Sequence, residues 1–210
     1  MKINKKLTRI NFNKGKNKKN KFIVIHYVGA TGTAEANCKY FEKIYRGSSA
    51  HYFVGHKGEV WQCVEDKNIA WHCGALKYKH KTCRNSNSIG VELCCLKKGG
   101  KFYFTKDTEN QAALLVKELM KKYDIPVSNV IRHYDVTGKK CPAPYVDEPK
   151  EWEEFKALLG DKKPTKKTTT EIAKEVLAGK WGNGTERKKK LTAAGYNYAT
   201  IQKKVNELLK

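Results

Sequence analysis

The chain has 210 residues, enough for one ordinary domain and something small beside it. Its 43 Lys and Arg against 21 Asp and Glu leave a formal charge of +22, which points to a polyanionic partner: nucleic acid, an anionic membrane or a teichoic-acid-bearing wall. No stretch approaches the ~20 apolar residues of a membrane span, and no apolar segment of signal-peptide length follows the basic start. The expectation is a chain made in the cytoplasm, with no membrane span.

Residues 1–20 read as a basic N-terminal arm. Phe22–Val28, apolar or β-branched at nearly every position, is expected to be a buried central strand carrying His26. A helix is predicted over Thr33–Tyr45, with Ala36, Tyr40, Phe41 and Ile44 on one face. Tyr52–Gly55 and Glu59–Val64 flank a Gly-containing turn and read as a hairpin. Ile89–Leu96 is a second buried strand. Asp107–Tyr123 is the longest helix, its apolar side made of Ala112, Leu115, Leu119 and Met120. Pro126 halts the chain, and Val130-Ile131 leads as a short strand into His133. Strands interleaved with helices predict an α/β domain, a central mixed sheet flanked by helices.

Composition changes near residue 160, dividing the chain into a domain at 1–160, a basic linker at 161–169 and a helical tail at 170–210. Thr168 and Glu171 can form a capping box opening the first tail helix. Thr185 can cap a second and Asn197 a third carrying Ile201, Val205 and Leu208, giving a small all-α three-helix bundle. No second copy occurs, so the tail is a lone unit.

Seven cysteines are an odd number without CxxC spacing, which excludes a four-cysteine zinc ribbon. Most are expected to be reduced thiols, with Cys38, Cys94 and Cys95 acting as small buried apolar side chains. Cys141 is the exception. With His133, seven residues separate it across a loop that contains Gly138, and His26 lies far upstream. Two imidazoles and one thiolate are the ligand set of a zinc ion that keeps its fourth position open for water. Such an ion lowers the pKa of that water to roughly 7, which reads as a hydrolase.

Five motifs occur in order: Ile25-His26-Tyr27; Ala50-His51-Tyr52-Phe53-Val54; Ala70-Trp71-His72-Cys73-Gly74; Asn87-Ser88-Ile89-Gly90-Val91-Glu92-Leu93; and His133 with Cys141-Pro142. Over residues 20–160 the chain closely resembles the zinc-dependent N-acetylmuramoyl-L-alanine amidases of phage lysins, relatives of the peptidoglycan-recognition proteins. The resemblance implies Zn2+ ligands His26, His133 and Cys141, with Glu92 and Lys139 as the catalytic groups. The chemistry of the two types agrees: a carboxylate beside such a centre can take a proton, and a cation can steady the oxyanion. His51, His72 and Trp71 are expected to touch substrate. Where some branches carry a catalytic Tyr, this chain has His51 followed by Tyr52, as the Glu-bearing branch tolerates.

The tail resembles the short cell-wall-binding repeat first known from a pneumococcal-phage lysozyme. That resemblance implies a muropeptide ligand, met by Trp181, Asn183, Arg187, Tyr196 and Tyr198. A single copy implies weak monovalent binding, or avidity through self-association. The expected partners are the peptidoglycan of a Gram-positive wall and, through charge, its anionic polymers. The expected activity is an endolysin cutting the amide between N-acetylmuramic acid and L-alanine, released through a phage-made membrane hole. A non-catalytic peptidoglycan-recognition protein is one rival, and a cut further along the stem peptide another. A nucleic-acid-binding protein is a third, weakened by basic residues spread over both parts without a recognisable motif.

Overall fold

Runs of β-branched residues alternate with amphipathic helices along the chain, and the computed structural model, which describes residues 1–160 and 167–209, turns that alternation into two compact units, Met1–Asp161 and Lys162–Lys210. Much of the linker reading, residues 161–166, lies outside the described residues. In the first unit the strands are β1 (Ile3–Lys5), β2 (Phe12–Asn13), β3 (Phe22–Tyr27), β4 (Tyr52–Val54), β5 (Val60–Gln62), β6 (Ile69–Ala70), β7 (Ser88–Leu93), β8 (Leu96–Lys98), β9 (Lys101–Tyr103) and β10 (Val130–Arg132). The helices are α1 (Ala34–Glu42), α2 (Lys106–Tyr123), α3 (His133–Thr137), α4 (Ala143–Asp147) and α5 (Pro149–Leu158).

Six strands form the main sheet in the order β1-β5-β4-β7-β3-β10. Only the β4–β5 hairpin is antiparallel, so the sheet is mixed, as expected. β3 lies between β7 and β10, and Phe22 to His26 are buried without interruption. A parallel strand covered on both faces requires such a run, because neither side meets water. Ile23 and Ile25 join Ile89, Val91, Leu93, Leu115, Val116 and Phe155 in the main core. Phe22 and Val24 face the other way, onto Cys73, Cys83 and Val136. Each such fully buried aliphatic side chain stabilises the fold by about 1.5–3 kcal/mol over an exposed one.

α2 has the termini its sequence asks for. Thr105 caps it by accepting from the Thr108 amide at 3.1 Å, acidic Asp107 and Glu109 sit in the first turn, and Lys121 and Lys122 in the last. Ala112, Leu115 and Leu119 are buried as expected, and Met120 packs at the edge.

Within the first unit four expectations about the fold need correction. Residues 1–20 are not a separate arm: β1 extends the main sheet, β2 pairs with β6, and Lys18 reaches inward to His51. The buried face of α1 is Ala34 and Cys38 with Phe41, an i, i+4, i+7 row, whereas Tyr40 and Ile44 are about half exposed. The strand expected over Ile89–Leu96 breaks at Leu93, and the chain turns into the β8–β9 hairpin, which the reading missed. The segment between His133 and Cys141 is not all loop: it begins with the single-turn helix α3, closed by Gly138 at a φ of 85°.

Among the described residues the second unit has three helices, α6 (Thr169–Leu177), α7 (Gly184–Ala193) and α8 (Tyr198–Leu208). Thr168 and Glu171 make the expected capping box, and Asn197 caps α8 through the Thr200 amide at 3.0 Å. α7 starts earlier than expected, with Asn183 and not Thr185 at its N-cap. Ile172, Ala173, Val176, Leu191, Ile201 and Val205 form its core. Among the described residues no helix is long and apolar enough to cross a membrane.

Candidate metal centre and its cleft

Three adjacent parallel strands, β7, β3 and β10, deliver the site from their carboxyl ends, where open α/β sheets form crevices. His26 is next to last on β3. Glu92 is its register partner on β7, so both side chains leave the same face. His133 begins α3 immediately after β10. Past α3 the chain doubles back: the Tyr134 amide donates to the Cys141 carbonyl at 2.8 Å, which returns Cys141 to the mouth of β3.

The result is a buried cluster of His26, His133 and Cys141 whose donor atoms all lie within 4.8 Å of one another. His26 Nδ1 is 3.7 Å from Cys141 Sγ, and the two imidazole centroids are 4.7 Å apart. Zinc–nitrogen and zinc–sulfur bonds of about 2.0 and 2.3 Å in a tetrahedron imply donor separations near 3.5 Å, which these atoms approach. Among the described residues no other group of three donors is placed this way.

The electrostatics suit a cation-binding centre. Burial, reinforced by His72, holds His26 well below the usual imidazole range, and burial holds His133 at about 4. Both rings are therefore neutral at physiological pH, the form in which an imidazole can hold a metal ion. Burial also pushes the Cys141 thiol up to about 12, with Glu92 adding to it. Capture of a metal ion must release that proton.

Glu92 lines the same cavity, of about 350 Å3, along with His26, Cys141, Trp71 and Lys139. Its Oε2 is buried and has no hydrogen-bond partner. Burial raises its carboxyl to about 8, partly offset by the Lys139 charge. Lys139 itself is exposed and lines both this cavity and a neighbouring one of about 820 Å3 with Trp71, His72 and His133.

Of the three residues expected to touch substrate, Trp71 is on the cleft wall, half-buried, its edge against Tyr45. His51 does not reach the cleft and the expectation fails there. Its side chain is fully buried, Nδ1 accepts from the Gly90 amide at 3.0 Å, and Nε2 meets the Asn68 carbonyl at 3.1 Å. His72 borders the cleft, but both its nitrogens are engaged, Nδ1 with His26 Nε2 at 3.0 Å and Nε2 with Ser88 Oγ at 3.1 Å. Ser88 and Gly90 have no role assigned from the sequence beyond their place in the fourth motif. Their alternation with Glu92 along β7, all on one face, was the available signal. Tyr52 turns away and donates to Asp66 Oδ1.

The other six cysteines behave as expected: all are free thiols, and Cys38, Cys94 and Cys95 are fully buried. In the tail, Trp181 donates to Glu175 Oε2 at 3.1 Å and meets Tyr196 edge-on at 6.0 Å. Both pack on the helical core beside Tyr198. Arg187 is tied inward, to the Gly182 carbonyl at 3.0 Å, Asn183 Oδ1 at 2.8 Å and Gln202 Oε1 at 3.3 Å.

A mixed sheet that gathers two imidazoles, a thiolate-forming side chain and an unpartnered carboxyl at the ends of parallel strands defines an α/β domain with a candidate hydrolytic metal centre. Residues 16–144 match the family described as N-acetylmuramoyl-L-alanine amidase, and the chain belongs to that family. Residues 170–209 match the CW_7 repeat. The N-acetylmuramoyl-L-alanine amidase CwlL of Bacillus licheniformis is 33% identical over 198 residues, covering 84% of this chain and 54% of that protein. BlyA of Bacillus subtilis, of the same description, is 31% identical over 170 residues, covering 70% of this chain and 45% of its own. The chain thus spans about half the length of the curated relatives it matches. The structure of PlyL superposes with a TM-score of 0.64 at 31% identity, covering 76% of this chain and 97% of PlyL. The catalytic domain of XlyA does so at 0.62 and 26% identity, covering 76% and 99%.

Proposed function

We propose that this chain is an endolysin that hydrolyses the amide between the lactyl group of N-acetylmuramic acid and L-alanine in peptidoglycan, with zinc held by His26, His133 and Cys141. The observation that carries the reading is the orphaned Oε2 of Glu92 in the same cavity as that donor set. Two neutral imidazoles and one thiol fit zinc, and all three are buried side chains that line the cleft. When bound, zinc supplies Lewis acidity, which makes water a nucleophile at neutral pH. Glu92 Oε2 takes the proton from the attacking water. It then passes that proton to the alanine nitrogen as the carbon–nitrogen bond breaks, and the water's second proton follows to the amine, leaving a muramoyl carboxylate and an ammonium. Lys139 offers its ammonium to the oxygen that gains negative charge. Trp71 gives the glycan or stem peptide an aromatic wall.

Catalysis belongs to residues 1–160 and wall attachment to 170–210, joined by 161–169. Trp181, Tyr196 and Tyr198 present aromatic surface to a muropeptide, with Asn183 as a polar contact, while Arg187 braces the start of α7 against α8 beside them. The formal charge of +22 holds the protein to the polyanionic Gram-positive wall in a salt-dependent way, and a single repeat gains avidity if tails associate. Its route to the wall is through a phage-made membrane hole.

Digestion of purified Gram-positive walls by wild type and Cys141→Ser tests the reading. New L-alanine amino termini without new reducing sugars, lost in the variant and with chelator, are expected. Reducing sugars would make it a glycosidase, and amino termini other than L-alanine a peptidase. Wall binding with no new ends would make it a recognition protein.

A further inference from the structure

His26 is aimed by a chain of hydrogen bonds that the hydrolytic reading does not use. Ser88 Oγ lies 2.6 Å from the Arg84 carbonyl, which only accepts, so the hydroxyl proton is committed there. Toward His72 Nε2, at 3.1 Å, the same oxygen is then an acceptor, so His72 donates to it from Nε2. His72 Nδ1 keeps a lone pair, 3.0 Å from His26 Nε2, so His26 donates to it. His26 Nδ1 is left bare, and it is the atom facing Cys141 Sγ. Each assignment forces the next, from a backbone carbonyl to a ligand lone pair.

The backbone makes room for this arrangement. Ser88, Gly90 and Glu92 alternate on one face of β7. A Cβ at position 90 would stand 2.5 Å from His72 Cγ and 2.9 Å from its Cβ, so the imidazole can lie against the strand only because Gly90 has no side chain. Ser88 is fully buried and His72 nearly so, which keeps water from competing for either hydrogen bond.

We propose that His72 and Ser88 are positioning residues that lock His26 in the Nε2–H tautomer and present its Nδ1 lone pair to the metal ion. The inference rests on the metal reading of His26, His133 and Cys141. Outer partners of this kind fix ring orientation and tautomer, and their loss weakens metal binding about 10–100-fold.

The test uses the full chain with histidines labelled in nitrogen-15, as wild type, His72→Phe, His72→Asn and Ser88→Ala. In the metal-free wild type, long-range proton–nitrogen correlation spectra are expected to show His26 protonated at Nε2 and bare at Nδ1. Zinc affinity is then measured by competition with a chromophoric chelator. His72→Phe should bind about 10–100-fold more weakly. His72→Asn, whose amide oxygen stands where Nδ1 stood, should recover most of the loss. Ser88→Ala should mix the His26 tautomers and weaken zinc several-fold. A proton on His26 Nδ1 in the wild type would overturn the inference. So would His72→Phe with wild-type zinc affinity, or, should that variant not fold, Ser88→Ala with an unchanged His26 spectrum and affinity. A wild type that takes up no zinc would instead bring down the metal reading itself.

Discussion

Glu92 and His26 are register partners across the parallel pairing of β7 with β3, and their side chains emerge side by side from one face of the sheet. One strand thus supplies the candidate metal centre with a donor, and its neighbour supplies a carboxyl with an unpartnered oxygen. The separation of the two roles onto adjacent strands lets each be removed without the other.

Glu92→Gln keeps the shape of the carboxyl and removes its basicity. Wall hydrolysis by this variant should fall by about 10²–10⁴-fold, the usual range for a general acid–base group. Zinc content, measured by elemental analysis, should stay at one ion per chain. Lys139→Met should cost about 10²–10³-fold in turnover, the scale of one oxyanion contact. Loss of metal from Glu92→Gln would move Glu92 into the ligand set and count against its role as a base.

The same carboxyl sets a pH dependence in the metal-free protein. Burial raises Glu92 from 4.5 to about 8, so between those values the folded chain holds a proton that the unfolded chain releases. Its contribution to stability is full below about pH 4.5, shrinks as pH rises, and is gone above about 8. His133 acts in the opposite sense: burial lowers it from 6.5 to about 4, so its contribution is full above 6.5 and is lost as pH falls through 4. Both proteins share the His133 effect, which cancels in a comparison. Urea unfolding of chelator-treated wild type and Glu92→Gln should therefore diverge between pH 5 and pH 8, with the variant gaining relative to wild type. Parallel curves would show that Glu92 is solvated.

How much of this could be read from the sequence depends on how local the cause was. β3 and α2 were legible because an unbroken β-branched run and a capped 3.6-residue period act within their own segments. The donor set was legible because imidazole and thiol are rare side chains with few joint uses. The face of α1 was not, since apolar Tyr40 and Ile44 form as plausible a row as Ala34 and Cys38 until the sheet chooses between them. Tyr40 ends up exposed beneath Arg46, whose guanidinium sits 3.8 Å from its ring centre. His51 and His72 were indistinguishable as letters. One is enclosed by Gly90, Asn68 and Lys18, the other lies against His26, and that difference arises only when β4, β6 and β7 meet.

Zinc binding should stabilise the fold as well as arm it. At free zinc 100 times its dissociation constant the native state gains about 2.7 kcal/mol. For a chain of this size that corresponds to a rise in melting temperature of roughly 5–10 °C. Calorimetry of the metal-free protein with and without zinc should show the rise, and Cys141→Ser should abolish most of it. A zinc-induced rise that survives in Cys141→Ser would place the ion elsewhere.

Arg187 separates the two views of the tail. The sequence makes it a muropeptide contact, while its guanidinium is spent on Gly182, Asn183 and Gln202, bracing the start of α7 against α8. Arg187→Ala frees those acceptors and should destabilise the helical unit by about 1–3 kcal/mol. In the full chain this appears as faster amide hydrogen exchange across α6, α7 and α8, with no change in β3 or β7. Wall retention should then fall in proportion to the fraction of tail unfolded. Retention that collapses while exchange in the three helices stays at the wild-type rate would mean that Arg187 meets the wall directly, and that its internal bonds are given up on binding.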